Sequence, residues 1–255
     1  MTKNYFSIIA LICCTLLYSC ADEKKENKTP KDTEKAVKKE TVKDTGPAFG
    51  IDISAYQGDE VAMLNNEDTS LKFIICKATQ GETYVDPKFA YNWKTTQEKG
   101  FIRGAYHFFM SKDDPLKQAK LFVSTIEKLN PTDIPPIIDI EFEGIDTSQP
   151  VQDIQGNALK LLQIIESILK VTPIIYTNND FANDYLVNPE FARYPLWIAD
   201  YDSKKTPMLP KTWQEKGYVF WQKTDTYELA DYKDDADVFN GDVESLKAFI
   251  KNSRK

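Results

Sequence analysis

The chain has 255 residues, 32 Lys and Arg against 39 Asp and Glu, a net charge of −7 and a single histidine, His107. This acidic balance argues against nucleic acid as a partner, because such affinity rests on neutralising phosphates with Lys and Arg. One histidine, no HExxH, no paired-cysteine spacing and no glycine-rich phosphate loop exclude most zinc hydrolase and nucleotide-binding designs, so neither metal nor cofactor is expected.

Residues 1–20, MTKNYFSIIALICCTLLYSC, place Lys3 before an apolar run from Phe6 to Leu17 and end in Leu17-Tyr18-Ser19-Cys20. That is a secretory signal, too short at its apolar centre to span a membrane comfortably as a mature helix. Its ending resembles the bacterial lipobox, in which Cys20 becomes the lipidated first residue; the plainer alternative is an ordinary cleaved signal. Residues 21–46 hold eight Lys, seven acids and no aromatic residue. They cannot bury enough apolar surface to offset their ordering entropy and read as a disordered tether. The expectation is an exported, monomeric lipoprotein, anchored through Cys20 to a bacterial membrane, on the periplasmic or surface face of an outer membrane. Residues 47–255 then form one large domain. Only Cys76 remains in it, inside the apolar run FIIC, so no internal disulfide forms and Cys76 reads as a small core residue.

In chain order, AFGIDIS (48–54) and LKFIICKAT (71–79) read as strands. Residues 87–99 suggest a helix with Pro87 in its first turn, ended by Gly100. FIRGAYHFF (101–109) is a third strand and residues 114–129 a helix with Pro115 early. PPIIDIE (135–141) is the fourth strand, residues 151–170 the clearest amphipathic helix, TPIIYT (172–177) the fifth strand, and 179–186 a short helix. Beyond Tyr194 the pattern changes. YPLWIADY (194–201), GYVFWQKT (217–224) and DADVFNG (235–241) look like strands without long helices between them, before a final helix over 243–251. The alternation predicts an α/β fold, an irregular TIM-like (β/α) barrel of about five βα units followed by three such strands. Reactive groups in such barrels sit at the carboxyl ends of the strands.

Several residues sit at those ends. Asp139 and Glu141 in IIDIE are two apart, hence on one side of a strand about 6.5–7 Å apart along it. Buried carboxylates so placed need partners, water or a purpose; salt-bridged or capping acids are the bland alternative. Asp52 closes the first strand, Lys77 the second and Tyr106-His107 the third. Asp200 follows Trp197 in WIADY, Trp221 and Gln222 lie in VFWQ, and Asp237 lies in DADVFNG. Acids gathered on one rim with Trp and Tyr among them suit a sugar cleft, where aromatic faces stack on pyranose rings and carboxylates handle protons and cationic charge.

The motifs GIDISAYQG, KATQGETYVDPKF, GAYHFF, IIDIE, PIIYTN, LWIADY, FWQ and DADVFNG, in this order from Phe49 to Gly241, closely resemble glycoside hydrolase family 25, the Chalaropsis-type lysozymes. The resemblance implies a peptidoglycan muramidase that cleaves the β-1,4 bond between muramic acid and glucosamine. It implies Glu141 as general acid, with Asp139 orienting or stabilising the attacking group, water or the substrate's acetamido oxygen. It implies catalytic acids at Asp52 and Asp237, and a sugar-binding acid at Asp200. Like-charge repulsion from Asp139, Asp52 and Asp237 is expected to keep Glu141 protonated. Two positions depart from the family pattern. Tyr56 stands where Trp is usual but keeps an aromatic face toward substrate, and Gln80 stands where Glu is usual.

Other residues keep two readings. Lys77 balances the acidic rim or is a snorkelling strand-end lysine. Tyr106 touches substrate or fills the barrel mouth, and Trp197 and Trp221 are sugar platforms or core. His107 is expected to be a hydrogen-bonded core or rim residue, Glu143 a solvated loop acid, and Trp93 and Trp213 packing. The rival to the enzyme is a catalytically silent peptidoglycan-binding lipoprotein using the same cleft.

Overall fold

The computed structural model describes residues 46–65, 70–229 and 232–255. The signal, Cys20 and the tether up to residue 45 lie outside the described residues.

The sheet is a closed ring of eight strands. Strands β1 (Phe49–Ile53), β2 (Leu71–Gln80), β4 (Ile102–Phe108), β5 (Ile137–Asp139), β6 (Ile174–Asn178), β7 (Leu196–Ala199) and β8 (Phe220–Leu229) run parallel in that order. Strand β9 (Tyr232–Phe239) pairs antiparallel with both β8 and β1, and β1 pairs parallel with β2, which closes the ring. The two-residue β3 (Tyr84–Val85) hangs on β2 as a short hairpin. The expected barrel is therefore the observed one, with two refinements. Four α-helices serve as crossovers: α1 (Phe89–Glu98), α2 (Pro115–Ile126), α3 (Val151–Leu169) and α4 (Asn179–Tyr185). Among its described residues the β1–β2 connection carries 3₁₀ turns at Ala55–Gln57 and Glu60–Ala62, and β9 runs against the seven parallel strands.

Side-chain alternation divides the apolar residues into two layers. Phe73, Ile75, Ile137, Ile174, Trp197, Phe220 and Phe239 form the inner cluster. Ile74, Cys76, Ile138, Ile175, Ile198 and Trp221 belong to the outer layer under the helices. A continuous apolar run such as FIIC follows from this, since both faces of a parallel strand are covered. Helix α5 (Val243–Asn252) sets Leu246 and Ile250 into the inner cluster and packs the Phe249 ring edge-on to Phe220 and tilted against Phe239, plugging the end where the parallel strands begin. Gly50 has no side chain because Phe73 fills that space; a Cβ there would lie 2.3 Å from the Phe73 ring.

The helix starts follow from local chemistry. Asp114 caps α2, its carboxylate accepting the amides of Leu116 and Lys117 at 2.7 and 3.1 Å, with Pro115 at the first position, where its missing N–H costs nothing. Residues 225–229 and 232–234 differ from expectation. They lengthen β8 and β9, which stay paired antiparallel as far as Leu229 and Tyr232, and because most of the side chains described there are partly or fully exposed they offer no apolar alternation to read.

Arg103 at the start of β4 is 5% exposed and Asp133 3%. The guanidinium donates to both Asp133 oxygens, from Nε at 2.9 Å and Nη2 at 3.1 Å, gives Nη1 to the Trp93 carbonyl, and lies 3.7 Å from the Trp93 ring centroid. Removing one partner leaves the other buried and charged. Asp133→Ala should therefore cost about 3–5 kcal/mol of unfolding free energy in urea titrations, while the folded fraction keeps its activity.

Candidate active site

At the carboxyl ends of the parallel strands the barrel opens into a cavity of about 170 Å³. Its walls carry Asp52 of β1, Lys77 of β2, Tyr106 and Phe108 of β4, and Asp139 of β5. Glu141 just beyond β5, Tyr176 of β6, Trp197 of β7, Gln222 of β8 and Asp235 of β9 complete them. Every one occupies an inward-facing register position of its strand or continues it. Strand β5 ends at Asp139, but Glu141 keeps extended backbone before a 3₁₀ turn at Phe142–Gly144, so the two carboxyls still share a side. Gly144 lets that turn press on β4: a Cβ would sit 2.1 Å from the Phe109 carbonyl, and the Ser111 amide donates to the Gly144 carbonyl at 2.8 Å.

Hydrogen bonds fix the cavity floor. Gln222 donates Nε2 to Asp52 Oδ2 at 2.7 Å, and its Oε1 accepts the hydroxyls of Tyr176 and Tyr201 at 2.8 and 2.6 Å. One layer deeper, Trp197 donates Nε1 to Asp237 Oδ1 at 2.9 Å. Among the described residues no N–H or hydroxyl reaches Asp237 Oδ2, and the Asp237 carboxyl meets that of Asp52. Burial first, then the Asp52 and Asp235 charges, push Asp237 well above the usual carboxylate range, so it carries a proton toward Asp52.

Burial is also the first cause for the other acids. It pushes Glu141 up to about 7, helped by Glu143 and Asp235 and opposed by Lys77. Asp139, also buried and with no donor on Oδ1 among the described residues, is pushed well above its ordinary value, with Glu141, Asp52 and Glu143 raising it further and Lys77 lowering it. Asp235 rises to about 6. Glu141 is thus raised, as expected, but by burial, Glu143 and Asp235 rather than by Asp139, Asp52 and Asp237. Glu143 is exposed, yet its charge reaches the pair.

Asp52, Asp139, Glu141, Lys77, Tyr106, Trp197 and Gln222 come together as the sequence reading expects. Four residues do not join them. Asp237 lies beneath the cavity, fully buried, and Asp235, two residues earlier, lines it instead. Because β9 runs antiparallel, its earlier residue reaches the rim, where Asp235 pairs with Asp52 in register. Trp221 faces the outer layer, between the inward Phe220 and Gln222, and donates Nε1 to the Asp200 carbonyl. Asp200 lines a neighbouring cavity of about 600 Å³, but its carboxylate accepts the amides of Asp202, Ser203 and Met208, so it shapes the loop after β7. Tyr56 is 89% exposed on the turn after β1 and lies outside the cavity lining. Sequence reasoning missed Asp235, Tyr176 and Phe108; strict alternation from Asp237, Ile174 and Tyr106 would have found them.

His107 is core, as expected. Gln118 spends Nε2 on the Met110 and Asp113 carbonyls, so its Oε1 accepts from His107 Nε2–H, while Nδ1 faces the Thr79 hydroxyl at 2.7 Å; burial lowers the imidazole to about 4, and it stays neutral. Burial likewise raises the Cys76 thiol to about 12, which leaves it inert.

Residues 51–232 match the glycosyl hydrolases family 25. The chain belongs to that family. As a family 25 glycoside hydrolase it is similar to lysozyme M1 of Streptomyces globisporus, 28% identical over 82% of this chain and 74% of the relative. It is also similar to the uncharacterized protein YegX of Escherichia coli K12, 32% identical over 79% and 72%. The muramidase structure from Acremonium alcalophilum superposes with a TM-score of 0.71 at 29% identity, covering 80% of this chain and 99% of that one.

Proposed function

We propose that this family 25 enzyme is a muramidase, hydrolysing the β-1,4 bond between N-acetylmuramic acid and N-acetylglucosamine in peptidoglycan. The observation that carries the reading is Glu141: a half-buried carboxyl raised to about 7, beside the buried Asp139, in a cavity walled by aromatic rings. The lysozyme and muramidase among its relatives support the substrate class.

In this mechanism Glu141 gives its proton to the glycosidic oxygen as the C1–O bond breaks, and the bonding electron pair leaves with that oxygen. Positive charge developing at C1 faces Asp139, with Asp52 and Asp235 behind it. The attacking oxygen, from water or the substrate's acetamido group, approaches on the Asp139 side. Asp237 serves from below by holding Asp52, and Tyr106 and Trp197 offer ring faces to the sugar. Residues 1–20 serve as a lipoprotein signal, acylated at Cys20, and residues 21–46 as a tether between the membrane and the catalytic domain.

Glu141→Gln should lower release of new reducing ends from purified peptidoglycan by about 10²–10⁴-fold with no loss of thermal stability; a silent binder would give none from the wild type. Because the acid works only when protonated, kcat/KM should fall as pH rises through about 7. It should fall again on acidification through about 6, where Asp235 gains a proton. For the anchor, Cys20→Ala should abolish incorporation of a labelled fatty acid in cells; retained label would refute acylation at that position.

A further inference from the structure

Glu141 and Tyr176 line two cavities, the acid-walled one of about 170 Å³ and its neighbour of about 600 Å³. The sugar whose C1 becomes cationic belongs in the smaller, among Asp139, Asp52 and Asp235. The bond that breaks points at Glu141, which supplies the proton, so the departing sugar lies toward the larger. Tyr201, on the loop after β7, walls that larger cavity with its side chain 47% exposed.

The far end of the same side chain reaches the floor of the smaller cavity. Its hydroxyl donates to Gln222 Oε1 at 2.6 Å, and the Tyr176 hydroxyl donates to the same oxygen at 2.8 Å. An amide oxygen has two lone pairs, and both are then spent. Gln222 Nε2 is left to donate to Asp52 Oδ2 at 2.7 Å. With the amide turned over, its oxygen would face Asp52, and that contact would need a proton on the carboxyl. The two hydroxyls therefore select the orientation that suits an ionised Asp52. Tyr201 is held without help from substrate. Asp200 accepts the amides of Asp202, Ser203 and Met208, and its own amide and carbonyl bond the Gln222 carbonyl and Trp221 Nε1.

We propose that Tyr201 is a positioning residue for hydrolysis: its ring walls the pocket of the departing sugar, while its hydroxyl, with that of Tyr176, turns the Gln222 N–H toward Asp52 and holds this carboxyl ionised beneath the reacting sugar.

The surroundings of Asp52 show why it needs such a donor. Asp235 and Asp237 face it from β9, with Asp234 on the same strand, and Asp139 from β5; Lys77 of β2 and Tyr106 of β4 line the same cavity. Burial first, then the Asp235 charge, favours a proton on Asp52, and the Gln222 N–H opposes them.

Tyr201→Phe, which keeps the ring and loses the hydroxyl, is the discriminating change. It should lower kcat on solubilised peptidoglycan about tenfold with KM within about twofold of wild type. The midpoint of the Asp52 carboxyl, followed by carbon-13 NMR in labelled protein, should move up by about half a pH unit. Tyr201→Leu, which also removes the ring, should add a rise in KM of about fivefold. An Asp52 midpoint unchanged in Tyr201→Phe would overturn the proposal whatever happens to kcat, and so would a loss confined to KM. If Tyr201→Leu does not fold, Tyr201→Phe decides alone. The kinetic outcome rests on the muramidase reading, but the NMR outcome does not. A wild type that releases no reducing ends would sink that reading and leave the Asp52 midpoint to report on the hydroxyl.

Discussion

More negative charge is packed into the mouth of this barrel than the site can ionise. Five carboxyls, those of Asp52, Asp139, Glu141, Asp235 and Asp237, stand on or just below one cavity whose lining includes a single cation. Burial is the largest cause raising each of them, and mutual repulsion adds to it. Protons must be retained, and their distribution is the chemistry. Asp237 keeps one and supports Asp52, while the charge of Lys77 opposes the rise of both Asp139 and Glu141.

Ring closure makes that crowding possible. Seven parallel strands end at the same rim, so side chains distant in sequence, from Asp52 to Gln222, meet within hydrogen-bond reach. The plug of Leu246, Ile250 and Phe249 at the other end lets the inner cluster exclude water beneath the acids. The antiparallel β9 is the exception that completes the site, inserting Asp235 and Asp237 one above the other between β8 and β1. A second pair of buried acids, Glu60 on the turn after β1 and Asp234 on β9, finds no donor outside the pair among the described residues, and burial and Asp234 push Glu60 up to about 8. Retained protons thus also hold the outer side of this strand.

Much of the site was legible because strand alternation is a local rule. Asp139 with Glu141, Lys77, Tyr106 and Gln222 were named from their places at strand ends, and all line the cavity. Two misplacements are matters of face or depth: Trp221 faces the outer layer beside the inward Gln222, and Asp237 faces inward but lies below Asp235 because β9 runs antiparallel. Asp200 looked like a sugar ligand because its loop, which consumes its carboxylate through three backbone amides, has no sequence signature.

By itself the sequence determined the α/β class, the helices, with Pro115 opening one and Gly100 ending another, and the set of acids and aromatics available for chemistry, since each depends on residues a few positions apart. Tertiary structure decided the rest: that the ring closes through one reversed strand, that Asp235 rather than Asp237 reaches the rim, and that burial sets the proton affinity of Glu141. Strand direction and desolvation are properties of the assembled barrel, and no stretch of chain carries them alone.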